Sequence, residues 1–145
     1  MIGFGMSFQA MKSGFFDRER VMRSMDAATR RVFTRFGGRV RTRARRSIRK
    51  RKGISPPGQP PHSHVGLLRD FIFFAYDPWQ RSVVIGPVLL RLSSKVPSLL
   101  EYGGVVVRRT KKRTRRLRYR PRPYMRPAFE QEKPRLPDLW RDSVR

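Results

Sequence analysis

The sequence contains no cysteine, which excludes disulfides, thiolate catalysis and Cys-based zinc sites. Acid is scarce as well. Ten Asp and Glu stand against 35 Lys and Arg, a formal net charge of +25 on 145 residues. Self-repulsion of that size is relieved by an anionic partner or by assembly, and it points away from a freely diffusing enzyme for small neutral substrates. No apolar run approaches the roughly 18 residues that a membrane helix needs. The opening stretch Met1–Phe16 is apolar, but its only charge, Lys12, lies inside it. A secretory leader wants positive charge first and a small-residue cleavage site last, so this stretch reads as mature structure. What is present argues for folding. Aromatic residues reach 11%, too many for a solvated tail. A single domain over 1–145 with a real core is expected.

The charge is banded. Ala27–Leu68 contains no acid, and Arg39–Lys52 is mostly Arg and Lys. A second acid-free stretch, Tyr102–Phe129, contains the basic run Arg108–Arg126. The bands flank a more apolar, near-neutral centre, as one face or rim of a folded domain would.

Alternation over Met6–Met11 suggests a short strand. Asp17 suits a helix N-cap, with Glu19 in the first turn where the helix dipole favours negative charge. Val21, Met25, Ala28, Val32, Phe36, Val40, Ala44 and Ile48 then recur every three or four residues, the stripe of a long amphipathic helix. Gly37-Gly38 in its middle would kink it or admit a close neighbour, and Gly53 lies beyond its end. A Pro-rich loop over 53–66 follows, its four prolines removing backbone donors. Leu67–Tyr76 reads as a strand, Asp77-Pro78 as a turn, and Arg81–Gly86 as the return strand. Pro97–Tyr102 reads as a short helix closed by Gly103-Gly104. A basic hairpin over 105–120 comes next, then a short helix from Pro127 broken by Pro134 and Pro137. The order predicts an α+β fold: a small antiparallel β-sheet packed against one long amphipathic helix, with a short C-terminal helix. In that arrangement Phe71, Phe73, Val83 and Ile85 meet the helix stripe. Ile72 and Phe74 lie on the outer face, where Phe74 would mark an interface.

Candidate chemistry is sparse. His62 and His64 have the residue type of metal ligands but no neighbouring carboxylate or Cys, and they read as exposed loop histidines. Asp70, beside Arg69, reads as an ion-pair partner and Asp77 as a turn residue. No Ser-His-Asp order, Gly-rich phosphate loop or His-Glu metal motif is present, so no enzyme activity, metal or cofactor is expected. The basic bands are different. Arg forks suit both phosphate and carboxylate. Arg108, Arg109, Lys111, Lys112, Arg113, Arg115 and Arg116 therefore become candidate contacts to DNA or to an acidic partner.

Four pieces of sequence, in order, carry a family likeness: ARRSIRKR at the end of the long helix; GLLRDFI; SVVIGP followed by PSLLEYGG; and RPRPYMRPAFEQ. The second is similar to TG-x-L-R-x-S-I, the third to VGP followed by YA-x-x-x-E-F-G-T, and the last to ARPFLRPAL. With these pieces, spanning Arg30–Gln131, the chain resembles the tail-completion or neck (head–tail joining) minor structural proteins of long-tailed bacteriophages, the virion-morphogenesis type. It departs in having Tyr102-Gly103-Gly104 where Phe-Gly-Thr is common, and in its very basic hairpin. The resemblance implies a non-enzymatic virion subunit, assembled in the host cytoplasm into a homo-oligomeric ring of six or twelve copies at the head–tail junction. Its neighbours would be a head connector or adaptor and a tail tube or tail terminator protein, with non-specific contact to packaged DNA and no membrane. The resemblance places Glu101 near subunit contacts, where a structural ion pair with an Arg is expected. Tyr102 and the loop prolines Pro56, Pro57, Pro60 and Pro61 are further interface expectations, the loop reaching out towards a neighbouring subunit. The alternative is a ribosomal or other basic RNA- or DNA-binding protein.

Overall fold

The computed structural model describes residues 17–88, 95–109, 113–141 and 143. The strand expected over Met6–Met11 and the candidates Lys111 and Lys112 lie outside them. The architecture is α+β, built around one long helix, α1 (Arg18–Ser47). Asp17 caps it, accepting from the Arg20 N–H at 3.0 Å, and Arg45 and Arg46 occupy the last turn, where the dipole favours cations. At ~1.5 Å per residue α1 is ~45 Å long, the axis on which the rest is laid. Ala28, Val32, Phe36, Val40 and Ala44 are buried along it, and Ile48 is buried at its C-cap. The first two positions of the expected stripe, Val21 and Met25, are exposed, because the packed layers begin further along. The helix stops at Ser47 because Arg49 turns extended to bridge His62, with Ser63 N–H donating to Arg49 O at 2.9 Å.

Two groups of elements pack on the apolar stripe of α1 and meet in one core. The first is the antiparallel hairpin β1 (Ile72–Asp77) and β2 (Ser82–Pro87). The second is α4 (Met125–Glu132) and α5 (Leu136–Arg141), joined by the single 3-10 turn Lys133–Arg135. Phe36 meets Phe129 of α4 edge-on at 5.6 Å, and Phe33 meets Trp140 of α5 edge-on at 6.0 Å. The core gathers Phe36, Val40, Ala44, Ile48, Ile72, Tyr124 and Ala128. Burying each of its larger side chains stabilises the fold by ~1.5–3 kcal/mol.

The strand register differs from the expectation. Leu67–Asp70 forms one helical turn, α2, entered through Gly66 at φ 95 and closed by Phe71 N–H on Leu67 O at 3.0 Å. The strand therefore begins at Ile72 with the opposite face inward. Ile72 is fully buried while Phe73 is 45% exposed, its ring beneath the Arg41 guanidinium. The pairs Ile72–Pro87, Phe74–Ile85 and Tyr76–Val83 place these residues on one face of the hairpin. Phe74 thus packs on α1 instead of facing outward, which removes the exposure that made it an interface candidate. Val83 and Ile85 pack on the core as expected. The contact is close. A Cβ at Gly37 would lie 2.8 Å from both Phe74 Cδ2 and Val83 Cγ2, so this glycine serves approach and not a bend.

The remaining elements are α3 (Val96–Tyr102) and the hairpin β3 (Gly104–Arg109) with β4 (Thr114–Tyr119). Among the described residues the antiparallel structure is thus two separate two-stranded sheets, of which β1–β2 lies on the long helix.

Candidate functional site

The ten acids decide where the surplus charge is left over. Asp17 caps α1, and Asp77 accepts from the Trp79 and Gln80 N–H groups to close the β1–β2 turn. Glu19 pairs with Arg23, Asp26 with Arg81, Asp70 with Arg45 and Asp138 with Arg141. The partner of Asp70 is thus Arg45 of α1 rather than its sequence neighbour Arg69. Glu132, its side chain only 4% exposed, takes Arg43 and, at 3.7 Å, Arg135. Glu101 is spent differently from the expectation. Its carboxylate accepts from the backbone N–H groups of Tyr124 (3.0 Å), Met125 (3.1 Å) and Arg126 (2.8 Å), closing the N-terminus of α4. It is a helix cap and not an Arg ion pair. Tyr124 beneath it has its phenol pKa pushed well up, first by burial and then by the Glu101 charge.

Eight of the ten acids are thereby committed; Glu130 is exposed on α4 and Asp142 lies outside the described residues, and two basic surfaces remain. The first is the β3–β4 hairpin. Its strands pair with each other, and among the described residues no other element packs substantially on them. Val105, Val107 and Arg109 share one face with Arg116 and Arg118, all exposed. Val106 and Leu117, half-buried, share the other face with Arg108 and Arg115. The hairpin is an arm standing off the body. The candidates Arg108, Arg109, Arg113, Arg115 and Arg116 are all exposed on it.

The arm's feet are tightly held. Gly103 and Gly104 have φ values of 73 and 143, and a Cβ at Gly103 would lie 3.0 Å from Tyr119 O. Across the base, Arg122 N–H donates to Leu100 O at 2.6 Å and Arg122 Nε to Ser55 O at 2.8 Å. Gly58 N–H donates to Pro121 O at 2.9 Å. The Pro-rich loop is thus folded back against the arm's base, which corrects the expectation that it reaches out. Ser55, Pro61 and Ser63 are buried and Pro60 half-buried; Pro56 and Pro57 remain exposed, as does Tyr102. His62 Nδ1 lies 2.9 Å from Gly53 O, and no group of three or more potential metal ligands occurs among the described residues.

The second surface draws on the first basic band of the sequence, whose individual arginines were not singled out there, together with Arg35 and Arg135 from outside Arg39–Lys52. Along α1, where the end of α4 meets it, runs an open concavity of about 910 Å³ lined by Arg35, Arg39, Arg43, Arg46 and Arg135, with Gly38 and Thr42 between them. Arg43 and Arg135 are tied to Glu132, whereas Arg35, Arg39 and Arg46 have no ion pair or hydrogen-bonding side-chain partner among the described residues. A third feature, Trp79 at the tip of the β1–β2 hairpin, is 94% exposed. No helix among the described residues is long and apolar enough to cross a membrane.

Compared with protein-family models, with curated proteins and with solved structures, the chain finds no match in any of the three.

Proposed function

We propose that the chain is a structural, non-enzymatic subunit of a bacteriophage virion that forms an oligomeric ring at the head–tail junction and joins the head connector to the tail. The observation that carries this reading is the arm. A two-stranded hairpin without a third strand or a packed helix is marginal in water. This one also exposes Val105 and Val107, and among the described residues the outer edges of both its strands are unpaired. Such an element gains its stability from a neighbour, and a ring built from one repeated heterologous contact supplies a neighbour to every copy. The ordered likeness of four sequence pieces to neck proteins supports the same reading and favours six copies. Tyr102 and the exposed Pro56 and Pro57, close to the arm's base, would lie at that contact.

The test is to locate the subunit in an electron cryomicroscopy map of the particle that encodes it. Density for a closed ring between connector and tail, with β3–β4 against the adjacent copy, is the expected result. Purified particles that lack the chain would overturn the proposal. The alternative of a ribosomal or other RNA-binding protein draws support from the arginines left without acids, and it is distinguished by co-purification with ribosomes.

A further inference from the structure

The arginine-lined concavity on α1 has features that the ring reading does not use. Arg35, Arg39 and Arg46 project from one side of the helix over a rise of ~16 Å. Like charges four apart on a helix destabilise it by a few tenths of a kcal/mol, so this row is a standing cost in the free protein. The one acid lining the concavity among the described residues, Glu132, pairs with Arg43 and Arg135. The floor between the arginines is Gly38 and Thr42, small and not apolar, and no aromatic side chain lines it.

We propose that this concavity binds the sugar–phosphate backbone of double-stranded DNA. A protein partner would want an apolar centre within the charged rim, and this surface has none. Single-stranded nucleic acid would want aromatic platforms on which bases stack, and none lines the concavity. A duplex offers a rigid row of phosphates, one charge per ~1.7 Å of its axis, to a straight helix carrying Arg forks at intervals of about one and two turns. Arg35, Arg39 and Arg46 meet phosphate oxygens directly. The contact carries no base specificity. It does not depend on ring formation, so a monomeric chain binds through the same groove.

The experiment is a fluorescence-anisotropy titration of the full chain against a labelled 20-base-pair duplex of mixed sequence, in a salt series from 50 to 200 mM. R35Q/R39Q/R46Q is compared with R18Q/R20Q/R69Q, which removes equal charge outside the groove and the arm. Counterion release is worth a slope of ~0.9 per phosphate contact. The groove variant is expected to lower the slope of log K against log salt by about 2.7 and to weaken binding on the order of 100-fold near 0.15 M salt. The control variant is expected to lower the slope by less than about 1. Equal losses in the two variants would overturn the proposal. So would displacement of the duplex by poly-glutamate as readily as by unlabelled duplex, or tighter binding of single-stranded DNA. Circular dichroism checks folding. If the triple variant is unfolded, R39Q alone gives the answer: a slope lower by about 0.9 supports the site, and an unchanged slope refutes it.

Discussion

Replacing Gly37 and Gly38 with alanine, one at a time, sets two adjacent helix positions against each other. Each substitution removes a glycine from the interior of α1, which by propensity alone stabilises it by about 0.8–1.0 kcal/mol. The surroundings then separate them. A Cβ at Gly38 meets only the Phe74 ring edge at 3.8 Å, an ordinary contact. A Cβ at Gly37 meets Phe74 Cδ2 and Val83 Cγ2 at 2.8 Å each. Carbon atoms settle at about 3.5–4.0 Å, so the two must be pushed apart by most of an ångström. Neither neighbour yields easily: one is a packed ring, the other a β-branched side chain on a paired strand. Overpacking of this kind costs about 1–3 kcal/mol. Gly37→Ala should therefore lower stability by up to about 2 kcal/mol, and Gly38→Ala should raise it by up to about 1. Urea denaturation reads both as shifts in midpoint at constant slope. In a Phe74→Ala background the Gly37→Ala penalty should shrink but not vanish, the Val83 contact remaining, and the difference is the signature of a direct coupling. A Gly37→Ala variant as stable as Gly38→Ala would refute the close approach of hairpin and helix on which the register rests.

Other predictions address the register, the cap and the buried phenol. Ile72→Ala should cost about 2–5 kcal/mol in chemical denaturation, while Phe73→Ala, at a half-exposed outer position, should cost under about 1. Glu101→Ala strips the cap from three N–H groups of α4 and should cost roughly 2 kcal/mol, with Glu101→Gln, which keeps an acceptor oxygen, losing less. Tyr124 keeps its proton in the folded state to higher pH than in the unfolded chain. Its contribution to stability is therefore complete below the ordinary tyrosine pKa of 10.0 and is lost progressively as pH rises above it. Thermal melts between pH 8 and 11 should show this decline, and Tyr124→Phe should flatten it.

The long helix was legible because its signals are local and repeated. A cap residue, an acid in the first turn and a stripe at helical spacing all agree. The phase of β1 was not. Leu67–Tyr76 is almost continuously apolar, so no alternation marks which face is inward, and a single helical turn entered through Gly66 shifts the strand by one residue. The route of the Pro-rich loop depends on the Arg122 bond to Ser55 across 67 residues, and composition alone cannot convey it. The partner of Glu101 is distant in the same way: its three N–H groups lie more than twenty residues further on. The basic arm was visible as a run of charge. The groove was visible only as half of one, because Glu132 and Arg135 come to α1 from the far end of the chain.

The way the arm is rooted has a mechanical consequence. One foot, Gly103-Gly104, takes backbone conformations that favour glycine, while the other runs into Pro121, whose φ is fixed. Directly inward of both, Glu101 grips the start of α4 and Arg122 grips Leu100. A pull on the arm therefore meets this short ring of hydrogen bonds first, and directly behind it the buried Tyr124 and the half-buried Leu100, so the arm is mounted on the edge of the hydrophobic core itself.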